Sequence, residues 1–181
     1  MQNTDSNEIK YNPLINCNVT LENNNIISIP VSEIHIPVKT GITLAGKVFG
    51  NLPTTNPKNK IIALHGWLDN CELYSDIAPK IVANYFKKNE TISLIAFDSA
   101  GHGLSDHRSE DYGEIYYLWD YIADFISALD LLGKNLYILF ISNLKLIIMM
   151  LLLIIIRRDN KYNYFIKINK KKETAFIIQI N

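Results

Sequence analysis

Three places in the 181-residue chain hold residue types that can do chemistry. His65-Gly66-Trp67 follows a short apolar run, Asp98-Ser99-Ala100-Gly101-His102-Gly103-Leu104-Ser105-Asp106 follows a second, and Ser142 follows a third. Histidine and aspartate can move or hold protons, and a serine hydroxyl becomes a nucleophile when a neighbouring base takes its proton. Gly66 lets a backbone approach a ligand closely, and the N–H groups around Trp67 can face a developing negative charge, which is the work of an oxyanion hole. The two cysteines, Cys17 and Cys71, have no metal-ligand spacing and no disulfide framework to form, so a reducing, cytoplasmic setting is expected.

The elements that must position these groups follow from the apolar pattern. Ile34, Ile36 and Val38 alternate with polar neighbours, Thr40-Gly41 supplies a turn, and Ile42, Leu44 and Val48 follow, which predicts a β-hairpin. Ile61 to Leu64 and Leu94 to Phe97 are continuous apolar runs of the kind buried on both faces of a parallel sheet. Between them Asp69 and Asn70 are good N-caps, and Leu73, Ile77 and Ile81 recur at every fourth position, so a helix is predicted that Pro79 bends or restarts. After a polar loop, Leu118, Ile122, Phe125, Leu129 and Leu132 form a helical stripe, with Asp120, Asp124 and Asp130 off it and Gly133 at the expected C-cap. Leu136 to Ile141 is a third strand. The β-α-β-α-β alternation implies an α/β fold with a mostly parallel sheet, and ligands of such a sheet bind beyond the carboxyl ends of its strands.

His65-Gly66-Trp67-Leu68-Asp69-Asn70, followed by Phe97-Asp98-Ser99-Ala100-Gly101-His102-Gly103-Leu104-Ser105-Asp106-His107, resembles the α/β-hydrolase superfamily and within it the serine hydrolase-like proteins. The resemblance runs from about Val31 to Leu139 and implies an incomplete α/β-hydrolase fold with an N-terminal β-hairpin and crossover helices. It implies that His65, Gly66 and Trp67 form the oxyanion-hole loop, with the Trp67 N–H as one donor, and that Asp98, Gly101, His102, Gly103 and Ser105 shape the site. By the same resemblance His65 and His102 position the turns rather than act as base, and Asp98 is a loop-fixing hydrogen-bond acceptor. His35 and His107 have no pattern around them. The resemblance implies that intact relatives act on small ester-like substrates through a Ser/Asp/His triad, without a metal or an organic cofactor.

The rest of that machinery is hard to find. The nucleophile of such enzymes sits in Gly-x-Ser-x-Gly, and the strand Leu136-Tyr137-Ile138-Leu139 lays Phe140-Ile141-Ser142-Asn143-Leu144 over that motif. Ser142 keeps the serine position, but Phe140 and Leu144 replace both glycines at a cost on the order of 1–3 kcal/mol per strained residue. The acid and histidine of the triad come after the serine in chain order. No histidine follows His107 here, and only Asp159 and Glu173 are acidic beyond Ser142. Serine hydrolysis by this polypeptide is therefore not expected, and a non-catalytic binding remnant is the alternative.

Composition divides the chain. The formal net charge is zero, yet Met1 to Ile156 carries 11 Lys+Arg against 16 Asp+Glu while Arg157 to Asn181 carries 7 against 2. No nucleic-acid partner is expected from that acidic body. Residues 1–30, with eight Asn, are predicted to stay unpacked, residues 31–142 to form the hydrolase-like half domain, and residues 143–181 to be an apolar, then Lys-rich tail unlike the family. All eight Gly lie at or before Gly133 and all six Pro at or before Pro79, and the tail's Ile, Lys and Asn bias is what a read-through intron or a frameshift would produce. If the family sequence ends there, Leu136 to Ile141 is an exposed sheet edge and a template for self-association. A second reading makes residues 136–156 a membrane-attached helix, since roughly 31 Å of helix would reach across a bilayer core. The opening residues carry acids and Asn where a signal peptide needs an apolar core, which favours the cytoplasm.

Overall fold

The computed structural model describes residues 8–66, 68–108, 116–133, 136–141, 164–168 and 175–180. Its centre is the predicted alternation. Strands β4 (Val31–Pro37) and β5 (Thr43–Gly50) form the hairpin, in register from Val31 opposite Phe49 to Pro37 opposite Thr43. Strands β6 (Asn59–Leu64), β7 (Ile92–Phe97) and β8 (Leu136–Ile141) are parallel, with β6 between the other two. Helix α1 (Ala78–Phe86) leads from β6 to β7 and α2 (Leu118–Leu132) from β7 to β8. The sheet is mixed rather than parallel throughout, because β5 joins β7 antiparallel and the outer strands are antiparallel as well. At that join Gly46 faces Phe97, and a Cβ on Gly46 would lie 2.3 Å from the Ala96 carbonyl oxygen, so only glycine lets the two backbones meet there.

Alternation along β6 and β7 sends side chains to two cores. Ile62, Ile95 and Phe97 pack with Val48, Ile122, Phe125 and Leu129 beneath α2. Ile61, Ala63, Leu94 and Ala96 pack with Phe49, Tyr74, Ala78 and Val82 beneath α1. Of the helical stripe Leu73, Ile77 and Ile81, Ile81 alone packs against that core: Leu73 and Ile77 are 40% and 41% exposed, and Cys71, Tyr74, Ala78 and Val82 are buried instead. A 3-10 turn at Cys71–Tyr74 precedes α1, and Pro79 restarts the helix in its first turn. A 3-10 turn advances about 120° per residue where an α-helix advances about 100°, so one step of four cannot be carried across the break.

The first residues are corrected by the structure. Within the segment expected to remain unpacked, β1 (Lys10–Pro13) pairs with β4, and β2 (Cys17–Thr20) pairs with β3 (Ile26–Ile29) in a separate two-stranded sheet. Apolar residues scattered among the asparagines carry this: Cys17, Val19, Leu21 and Ile27 pack against the α1 core and Ile29 is fully buried in it. Burial of that surface offsets the ordering entropy that polar composition alone would leave unmatched.

The exposed edge at Leu136–Ile141 is corrected too. Strand β10 (Ala175–Ile180) pairs antiparallel with all six residues of β8, and β9 (Tyr164–Ile168) pairs with β10. The eight-stranded order is β1-β4-β5-β7-β6-β8-β10-β9. A central strand needs partners for its N–H and C=O groups on both sides, and the β-prone run Ala-Phe-Ile-Ile-Gln-Ile supplies them on one side of β8. Among the described residues the edge of β8 away from β6 is thus covered by β10. Residues 136–141 form a strand, so a helix over residues 136–156 does not form as expected, and residues 142–156 lie outside the described residues. Among the described residues no helix is long and apolar enough to cross a membrane.

Candidate functional site

Because β6 and β7 are parallel, the loops that leave them open at one edge of the sheet. His65 is the first residue beyond β6 and is 7% exposed. Its Nε2 accepts the backbone N–H of Ser99 at 2.8 Å, and Nδ1 lies 2.7 Å from the Gly66 carbonyl. An acceptor at Nε2 fixes the proton on Nδ1, which donates to Gly66. Nε2 thus joins the β6 loop to the β7 loop while Nδ1 is held within its own turn, and neither is offered to a nucleophile's proton. Trp67 lies outside the described residues. Leu68, its neighbour, is 86% exposed with φ at +62°, a left-handed conformation that costs a side-chain-bearing residue about 1–3 kcal/mol and is concentrated at functional turns.

Asp98, the first residue after β7, is 2% exposed. Its Oδ1 accepts the Cys71 N–H at 2.6 Å and its Oδ2 accepts the Leu104 N–H at 3.0 Å, so one carboxylate binds the turn after β6 to the far end of its own loop. Gly103 makes this possible: its φ is +51°, and a Cβ there would lie 2.0 Å from Asp98 Oδ2. Ser105, also buried, accepts the Ala45 N–H at 2.8 Å and donates to the Asp98 carbonyl at 2.7 Å. Asp106 accepts the Thr43 N–H at 2.7 Å. The loop 98–106 is therefore stitched to β5 on one side and to the His65 turn on the other.

An aromatic wall backs this loop. The His102 ring lies 5.2 Å from that of His65 and 6.2 Å, edge-on, from that of Tyr121, which stacks on Tyr116. Tyr116 in turn closes over Gly101, with its hydroxyl 2.9 Å from where a Cβ would stand, and its hydroxyl accepts the Arg108 N–H. Its hydroxyl also lies 3.3 Å from His107 Nδ1, while His35 pairs with Glu33 away from these loops. Burial raises the Tyr121 hydroxyl above its ordinary range. Burial, reinforced by the Asp98 carboxylate, pushes the Cys71 thiol up to about 12, so this cysteine is not a thiolate nucleophile at neutral pH. Ser142, Asn143 and Leu144 lie outside the described residues; Phe140 and Ile141 complete β8. No group of three His, Cys, Asp or Glu among the described residues could hold a metal ion.

Two features escaped sequence reasoning. Asp124, read as lying off the helix stripe, is buried and receives Arg108 at 2.6 Å and the Thr40 hydroxyl at 2.6 Å. Its position flanking the stripe at Phe125 was the available signal, but its partners come from a loop and a hairpin turn far off in sequence. Lys47 of β5 pairs with Glu72 of the 3-10 turn. The Lys47 contact, then the Ser75 hydroxyl, holds the Glu72 carboxyl below its ordinary 4.5. A carboxylate with a depressed value in the fold adds stability that is fully present above about pH 4.5 and is lost as pH falls through the lowered value. Both side chains are partly exposed, so solvent screening keeps the effect below about 1 kcal/mol. Lys47→Met should flatten the acid limb of a urea-melt series by that amount; superimposable limbs for variant and wild type would refute the pairing.

No protein-family model matches the chain. An esterase of Exiguobacterium antarcticum has a TM-score of 0.44 at 18% identity, over 60% of this chain and 35% of that one. A serine hydrolase-like protein of Dictyostelium discoideum is 36% identical over 100 residues, which is 55% of this chain and 25% of that protein. A human serine hydrolase-like protein is 31% identical over 94 residues, 52% of this chain and 39% of the relative. The match to these curated relatives thus spans between a quarter and two fifths of their length. With two strand-end loops arranged about His65 and Asp98 on a parallel core, the chain is thus similar over about half of its length to serine hydrolase-like proteins.

Proposed function

We propose that this polypeptide supplies the oxyanion-side scaffold of a serine hydrolase-like site, the turn His65-Gly66-Trp67 and the supporting loop Asp98 to Ser105, and does not itself hydrolyse substrate. The observation that carries this reading is the full engagement of His65 and Asp98 by backbone groups: Ser99 and Gly66 for the ring, Cys71 and Leu104 for the carboxylate. Groups held this way orient loops and are not poised to take a proton from an attacking hydroxyl. Ser142 stands between Phe140 and Leu144 where a nucleophile turn needs glycine, and no histidine follows it in the 181 residues. The substrate class of a complete site of this kind is small and ester-like, bound without a cofactor. Cys17 and Cys71, neither in a disulfide, support a cytoplasmic setting.

Incubating the purified chain with a fluorophosphonate probe tests this. No covalent adduct is expected, and turnover of p-nitrophenyl acetate should equal that of heat-denatured protein. Labelling of Ser142, abolished by Ser142→Ala, would overturn the reading.

A further inference from the structure

We propose that His65 is a pH-sensitive latch between the loops leaving β6 and β7, closed while its ring is neutral and opened when the ring is protonated. The ring is 7% exposed, takes the Ser99 N–H on Nε2 at 2.8 Å and gives its Nδ1–H to the Gly66 carbonyl at 2.7 Å. A second proton can go only on Nε2, where it meets the Ser99 N–H head on. Two donors cannot share that bond, so protonation turns the ring away and leaves a part-buried amide without its acceptor.

The consequence reaches the whole loop. Ser99 accepts the His102 N–H at 2.9 Å through its carbonyl and directly follows Asp98, whose carboxylate holds Cys71 and Leu104. Release at Ser99 therefore loosens the segment that carries Gly101, His102 and Gly103. Among the described residues, titratable groups on the elements around the ring include His102 at 5.2 Å on the β7 loop, Tyr121 of α2 beyond it, the Asp98 carboxylate next to Ser99, Asp69 on the ring's own loop, and Tyr74, whose hydroxyl donates to the Leu64 carbonyl. The Asp98 oxygens are taken up by backbone N–H groups, and the Tyr74 hydroxyl is pushed up by burial, so neither supplies a charge that turns toward an imidazolium. The latch concerns loop order rather than bond cleavage, so it survives or fails independently of probe labelling.

Amide exchange on the full chain tests it. Corrected for intrinsic rates and referred to Ile95 in the core of β7, Ser99 protection should fall about tenfold per pH unit below the ordinary histidine range near 6.5, because opening takes up one proton. His65→Gln keeps an acceptor near the Nε2 position and does not titrate, so Ser99 should stay protected with no such slope. His65→Asn keeps only a donor toward Gly66, so Ser99 should be poorly protected at every pH. Nitrogen-15 spectra of the wild-type ring at about pH 7.5 should show a bare Nε2 and a protonated Nδ1, a measurement that requires no variant to fold. A flat wild-type Ser99 profile, or a proton on Nε2 at that pH, would overturn the proposal.

Discussion

Asp124→Ala is expected to cost about 3–5 kcal/mol of folding stability, because it strands the Arg108 guanidinium in the interior. The two side chains are 7% and 2% exposed and meet at 2.6 Å, with Asp120 at the edge of reach, 4.0 Å from Arg108 Nε. Exposed ion pairs contribute little, but a buried charge that loses its partner keeps the full desolvation penalty. Thr40 also donates to Asp124, so the carboxylate joins the β4–β5 turn, the loop after β7 and α2 at one point. The double variant Arg108→Met with Asp124→Leu should recover most of the loss, because matched apolar side chains remove the charge and its penalty together. Urea unfolding followed by circular dichroism measures both. A single variant within about 0.5 kcal/mol of wild type would place the pair among surface contacts that do not matter.

Asp98→Ala should be nearly as damaging and more local. It removes the acceptor of two backbone N–H groups, at about 1–3 kcal/mol for each donor left buried and unsatisfied. Cys71 and Leu104 are those donors, at 2.6 and 3.0 Å. Asp98→Asn keeps one carbonyl oxygen and presents an NH2 to the other donor, so it should retain about half of the effect. The readout is residue-specific: hydrogen exchange at Cys71 and Leu104 should accelerate in Asp98→Ala while the β6 amides remain protected. Wild-type exchange at both sites in the variant would show that the carboxylate is not what holds the loops.

The readable parts of the fold were those whose signal is local. Alternation over Ile34, Ile36 and Val38 reports one buried strand face, and the apolar runs at Ile61 and Leu94 report burial on both. The α2 stripe repeated over fifteen residues, long enough to give its phase and its C-cap. The first helix failed on phase because a 3-10 turn interrupts it before Pro79. Strands β1 to β3 failed because Asn-rich composition averages over the few apolar residues that do the packing. The β8–β10 pairing has no local signature at all, since it closes a long loop and is decided by which strand edge remains open.

By itself the sequence determined the parallel core, the two loops at its carboxyl edge, and the residue types placed there, because period and motif depend on neighbours along the chain. Only the tertiary structure decided what those residues do. Nothing in the spacing says that the Asp98 oxygens go to Cys71 and Leu104, that Ser99 takes the lone pair of His65, or that Asp124 meets Arg108. Each of these is a buried polar group satisfied by whatever donor or acceptor the packing brings within about 3 Å, and that choice is made in space rather than along the sequence.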